Sequence, residues 1–146
     1  MHDVAVIGGG PAGISASIYL KRTGIDVILF EKDEIGGLLL NAHLVENYPG
    51  FPNGISGKNL CKLFKKHLKK WKIKTILEGV NNITIKNNHY TIKTQHEEIK
   101  SRSVIISTGT IPKIIGIDGE QILSKRLLFY DVKDLLPKLK FNDTVI

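Results

Sequence analysis

The stretch "DVAVIGGGPAGISAS", residues 3–17, decides the fold. Four consecutive apolar residues, Val4 to Ile7, run directly into glycine, which is the pattern of a short strand buried on both faces. The spacing predicts a strand over residues 3–7. From Pro11 the pattern turns helical: proline suits the first turn, where its missing N–H would have had no partner, and Gly24 suits the position just past the helix end. "DVILF", residues 26–30, then supplies a second strand. Strand, glycine turn, helix and strand make one βαβ unit with its two strands parallel.

Between that first strand and helix, Gly8, Gly10 and Gly13 form G-x-G-x-x-G, and the context is what gives the motif its meaning. The first glycine permits a tight turn, the second lets a pyrophosphate approach the backbone, and the third lets the helix lie close to the strand. Pro11 and Ala12 lie inside the same motif, where N–H groups at a helix start face an anion and the helix dipole favours negative charge. Glu31 follows Gly13 by 18 residues and ends the second strand, with Lys32 next to it. An acidic side chain there accepts hydrogen bonds from a ribose diol and repels a 2′-phosphate, so the site is expected to take FAD or NAD and not NADP. Spacing alone leaves FAD and NAD both open.

With 146 residues and 42% hydrophobic content, the chain suffices for one domain, burying roughly two thirds of its unfolded surface. The opening residues show no charged leader ahead of a long apolar core, and no run reaches the roughly 18 to 20 apolar residues that span a bilayer. The expectation is a soluble cytoplasmic protein with no membrane partner. One cysteine, Cys61, rules out an internal disulfide within these residues. The five histidines are scattered, with no spacing that suggests a metal site. The formal charge of +7 raises the question of nucleic acid. Only Arg22, Arg102 and Arg126 are arginine, whereas forked recognition of phosphate and guanine favours arginine over lysine. A lysine-rich solvated surface explains the charge most simply and an acidic protein partner comes next, so no nucleic-acid partner is expected.

Residues 36–57 are rich in glycine and proline with little periodicity, and read as a long ordered loop, a kind that is usually functional. Leu60, Leu63, Phe64, Leu68 and Trp71 then fall at helical spacing among lysines, predicting an amphipathic helix from Ser56 or Gly57 to Lys72 that covers one face of a sheet. "KTILEGV", "NITIK" and "HYTIKT" read as three strands of an antiparallel meander with a turn at Asn87-Asn88. "SVIISTG", residues 103–109, reads as a third parallel strand returning to the core, and residues 124–143 as a connector with a short helical turn.

Several separated segments, "VAVIGGGPAGISAS", "FEK" followed by "GG", "VENYPGFP", "ISG" before a helix, and "IISTGTIPKIIGIDGE", resemble the thioredoxin reductase family of flavoproteins in register over about residues 3–120. The resemblance implies an α/β fold: a Rossmann-like FAD-binding domain with a central parallel sheet, a crossover helix and an antiparallel meander. It implies FAD as the cofactor, with Gly8, Gly10 and Gly13 at the pyrophosphate and Glu31 at the adenosine ribose. It further implies Gly36 and Gly37 along the cofactor, Asn47 near the flavin, Val80 touching the adenine side through its backbone, and Thr108 with Gly109 closing over it. Leu38 stands where that family usually has glutamine, so one polar flavin contact is in question.

The family's Cys-x-x-Cys would fall near Tyr130 and Lys133, and "FYDVKD" holds no thiol. The resemblance therefore points toward relatives such as the thioredoxin-reductase-type ferredoxin–NADP reductases. These move a hydride from NAD(P)H to FAD and release electrons to an external acceptor, a small protein or small molecule. A homodimer is the family's usual assembly. The alternative is a flavin- or nucleotide-binding module with no turnover of its own. No side chain is singled out as catalytic. On the same resemblance, residues 1–117 are the first segment of a discontinuous FAD domain, and residues 118–146 are a connector leading into the first strand of a missing NAD(P)-binding domain. Thr144 to Ile146 would begin that strand, and the chain would be a truncated fragment.

Overall fold

The computed structural model describes residues 1–124 and 128–130. Its first compact unit is Met1–Gly109, and a second begins at Thr110. The elements of the first unit are β1 (His2–Ile7), α1 (Pro11–Arg22), β2 (Val27–Phe30), a 3₁₀ turn (Gly37–Asn41), α2 (Gly57–Lys70), β3 (Lys74–Ile76), β4 (Asn82–Lys86), β5 (His89–Lys93) and β6 (Glu98–Ile106).

All six strands belong to one sheet in the order β3-β2-β1-β6-β5-β4. β1 pairs in parallel with β2, Val4 opposite Val27 and Ile7 opposite Phe30, and with β6 on its other side, Val4 opposite Ser103 and Ile7 opposite Ile106. The apolar runs of β1 and β2 divide by parity. Val4, Val6, Val27 and Leu29 enter one core with Ile14 and Ile18 of α1 and Leu60, Phe64 and Leu68 of α2. Ala5, Ile28 and Phe30 enter a second core on the opposite face with Ile92 of β5. Continuous hydrophobicity is thus the signature of strands covered on both sides.

α1 lies close to β1 because Gly13 has no side chain: a Cβ there would collide with the Gly8 carbonyl. α2 begins at an N-cap, Ser56, whose hydroxyl accepts from Asn59 N at 3.3 Å. Its apolar stripe faces the first core while its lysines point outward. The α2 helix stops two residues short of the expected Lys72, which takes a positive φ of 52°. Inside the expected loop, Val45 and Ile55 form a bridge and residues 37–41 a 3₁₀ turn.

The meander needs correction. "KTILEGV" is not its first strand: β3 lies at the far edge of the sheet, parallel to β2, with Ile28 opposite Lys74 and Phe30 opposite Ile76. The antiparallel set is β4, β5 and the first half of β6, Ile83 opposite Ile92 and Ile92 opposite Ile99. β6 is longer than its apolar run suggests. Residues 98–101 pair antiparallel with β5 while residues 103–106 pair parallel with β1, and only the latter half is apolar enough to read as a parallel strand. The Asn87-Asn88 turn is as expected, both residues at positive φ (51° and 61°), the geometry of a two-residue hairpin.

In the second unit, α3 (Glu120–Leu123) is a single turn, within the connector expected over residues 118–146. The Glu120 side chain is buried and accepts from the backbone N–H groups of Ile115 (3.0 Å), Gly116 and Ile117 (3.2 Å). Tyr130 is described and partly exposed. Lys133 and the expected strand at Thr144–Ile146 lie outside the described residues.

Candidate functional site

The chain leaves β1 for β2 on one side and returns as β6 on the other, so the order reverses at β1. In parallel α/β sheets ligands bind at such a point, outside the carboxyl ends of the strands. Gly8 to Gly13 sit there. Gly8 takes a φ of 107°, and a Cβ on it would collide with the Ser107 carbonyl at the end of β6. Gly10, by contrast, faces open space, with nothing within 4 Å of where its Cβ would be. α1 has no side-chain cap and starts with Pro11. Its first bond is from Ile14 N to Gly10 O, 3.0 Å, leaving the N–H groups of Ala12 and Gly13 without a partner inside the helix. Tight packing behind the turn and emptiness in front of it are what an approaching anion requires.

Glu31 is 7% exposed. Its Oε2 accepts from Gly9 N at 2.6 Å and its Oε1 from Asp33 N at 3.0 Å. The carboxylate is therefore built into the glycine turn, clamping Gly9 to the end of β2, and keeps further lone pairs for donors in the cleft. Gly36 N donates to Gly9 O at 2.8 Å, and a Cβ on Gly37 would lie 3.4 Å from Gly10 Cα. These contacts bring Gly36 and Gly37 against the same turn. Beneath Gly36 packs the buried Cys61 sulfur, and burial pushes this thiol above its ordinary range. It is a packing residue.

A cleft opens from this turn between the ends of β1 and β2 and the segment after β3, lined by Gly8, Glu31, Lys32, Gly79, Val80 and Thr108. The structure thus brings together nearly all of the expected residues. Two stand apart. Leu38 is 58% exposed on the 3₁₀ turn, and Asn47 is exposed in the loop closed by the Val45–Ile55 bridge. Gly109, at a φ of 69°, ends the first unit.

Two residues of the site carry no signal that the sequence pattern picked out. Ser107 donates its hydroxyl to the carbonyls of Ile7 (3.0 Å) and Gly8 (3.1 Å), while its N–H donates to Ile7 O at 2.8 Å. It ties the end of β6 to the glycine turn, and its place beside Thr108 at the end of a parallel strand was a usable signal. Glu78, the other, also lines the cleft, and nothing in its neighbourhood in sequence marks it.

The sequence model of the pyridine nucleotide-disulphide oxidoreductase family matches residues 2–145. The chain belongs to that family. Within it the likeness is to thioredoxin reductases. That of Mycolicibacterium smegmatis is 33% identical over 124 residues, covering 85% of this chain and 40% of the relative. That of Borreliella burgdorferi is 39% identical over 113 residues, covering 77% and 35%. The structure of Lactococcus lactis thioredoxin reductase superposes with a TM-score of 0.79 at 31% identity, over 84% of this chain and 40% of that one. A ferredoxin-flavin thioredoxin reductase from Clostridium acetobutylicum gives 0.72 at 32% identity, over 93% and 47%. The chain spans 35% to 40% of the length of the curated relatives it matches. The α/β architecture is that of the thioredoxin reductase structures on which the chain superposes.

Proposed function

We propose that this chain forms the FAD-binding part of a flavoprotein oxidoreductase. In it, NAD(P)H reduces the flavin and the electrons pass to an external acceptor without an internal disulfide in these residues. The observation that carries the reading is the Glu31 clamp. A buried carboxylate at the end of β2 holds Gly9 at 2.6 Å beside an uncapped helix start and an empty space at Gly10. The residues fit a dinucleotide on chemical grounds. Glycine and helix N–H groups suit a pyrophosphate, an acidic side chain suits the adenosine ribose, and Gly79 and Val80 line the cleft where an adenine edge can lie.

In this assignment Gly8, Gly10, Ala12 and Gly13 serve the pyrophosphate and Glu31 with Lys32 the ribose. Val80 serves the adenine, Gly36 and Gly37 run along the cofactor, Thr108 and Gly109 close over it, and Leu38 and Asn47 lie toward the flavin. The bound flavin would supply hydride acceptance and single-electron release; the protein's own part is to hold, orient and shield it. Leu38 in place of a polar side chain makes that surround more apolar. The acceptor proposed is a small redox protein of the ferredoxin or thioredoxin kind, with the net charge of +7 steering an acidic one toward the surface. A cytoplasmic homodimer completes the proposal.

The test is to express the chain within its full-length protein and record its visible absorption. A retained flavin that bleaches on addition of NADH or NADPH supports the enzyme. A retained flavin that neither reductant bleaches reduces the proposal to a flavin-binding module, and absence of any flavin removes both.

A further inference from the structure

Residues 77–80, of which Glu78, Gly79 and Val80 line the cleft, belong to no strand. They hang between two backbone anchors. Glu31 N donates to Ile76 O at 3.0 Å on one side, and Asn81 N donates to Lys93 O at 2.8 Å on the other. Between those anchors Val80 packs against the second core, and the side chain of Glu78 is gripped by the turn that joins β5 to β6. Thr94 Oγ1 donates to Glu78 Oε2 at 2.5 Å, His96 N donates to the same oxygen at 3.1 Å, and His96 Nδ1 lies 3.1 Å from Oε1. Thr94 is 9% exposed. Its oxygen accepts from Glu97 N at 2.9 Å, which turns its proton toward Glu78.

We propose that Thr94 and His96 are positioning residues for the adenosine end of the ligand: through the Glu78 carboxylate they fix Gly79 and Val80 as the cleft wall. The inference rests on the reading of the cleft as an FAD site. The meander then has a task beyond covering the sheet, since the β5–β6 turn reaches back to a segment 16 to 18 residues earlier. Donors aimed at Glu78, Thr94 first and then the backbone and ring of His96, draw its carboxyl below the ordinary range, as expected of a carboxylate held charged. A purely structural contact would stabilise the sheet without favouring one end of the ligand. This one touches the wall itself and stands away from the glycine turn.

The test compares Thr94→Val, which keeps the shape and removes the hydroxyl, with Thr94→Ser, which keeps the hydroxyl. Binding of ADP and of inorganic pyrophosphate to the full chain is measured by calorimetry. Loss of a hydrogen bond to a charged group predicts that Thr94→Val weakens ADP about tenfold, changes pyrophosphate by less than about twofold, and is rescued by Thr94→Ser. The proposal is overturned if Thr94→Val binds ADP like the wild type, loses both ligands alike, or is not rescued by serine. Should Thr94→Val fail to fold, His96→Ala decides. Its side chain is 68% exposed, so the fold is kept, and ADP affinity falls by about threefold if the proposal holds and stays unchanged if it does not. A wild-type protein that binds neither FAD nor ADP removes the FAD reading and this inference with it. Where the wild type binds both, a failure of the variants to behave as stated overturns the role of Thr94 and His96 and leaves the FAD reading standing.

Discussion

The two sides of the cleft are held in place by different means. On the glycine-turn side, residues 8–13 are packed against backbone: Gly8 against the Ser107 carbonyl and Gly13 against Gly8 itself. On the other side, residues 77–80 are held by Val80 packing against the second core and by one carboxylate with the donors that converge on it. The first side is therefore rigid and intolerant, because protein interiors give way poorly to added volume. The second is adjustable, since a hydrogen-bonded strap can lengthen by tenths of an ångström before it fails.

The greatest effect on the site itself, complete loss of the flavin, is expected on the rigid side. Gly13→Ala puts a methyl group against the Gly8 carbonyl, so α1 must move off β1 at a cost of about 1–3 kcal/mol. Thermal unfolding should fall by several degrees and retained flavin should be absent; a variant that melts and binds like the wild type would show the turn to be softer than its packing. Next comes the core behind the strap. Ile92 is fully buried in the second core, and Ile92→Ala should cost about 2–4 kcal/mol in urea unfolding. If it costs as little as a surface substitution, the meander is not packed as part of this sheet.

Glu31→Gln is intermediate. The amide presents one oxygen where two donors, Gly9 N and Asp33 N, now meet two. A loss of about 1.5–3 kcal/mol is expected, seen as at least a tenfold weaker ADP affinity. An unchanged affinity would separate the clamp from ligand binding.

The strap itself should be sensitive to acid. Because Glu78 titrates below its ordinary range when folded, its bonds contribute stability above the unfolded carboxylate's pKa of about 4.3, and the contribution fades as pH falls through the lowered folded value. Groups facing it are His96 and Thr94 on the β5–β6 turn. Wild type should melt above Glu78→Gln by a constant margin at neutral pH, and that margin should shrink in acid. A margin that is flat into acid would place the source of stability elsewhere. The smallest effect belongs to the exposed Lys65–Glu34 pair joining α2 to the loop after β2. Lys65→Met should alter stability by less than about 1 kcal/mol, leaving both sides of the cleft as they are.

The same contrast accounts for which features were legible. Glycines at fixed offsets report on themselves: only a residue without Cβ fits Gly8 and Gly13, so the turn can be read from a short window. The α2 stripe was readable for the same local reason, periodicity against one core. "KTILEGV" was misplaced because a three-residue edge strand, half exposed, carries too little pattern to say which edge it joins. Its β-branched residues look alike in either sheet position. β6 was half read, because one strand pairs parallel over residues 103–106 and antiparallel over residues 98–101, and only the parallel half is continuously apolar.

By itself, then, the sequence determined the βαβ unit, the glycine turn, the acidic residue at the end of β2 and the helix that covers one face. Each of these is written in the backbone freedom or periodicity of nearby residues. Tertiary structure alone decided that β3 runs beside β2, that Ser107 braces the glycine turn and that Thr94 and His96 reach Glu78. These depend on hydrogen bonds between residues 16 to 100 positions apart, and such a bond leaves no mark on the local pattern at either end.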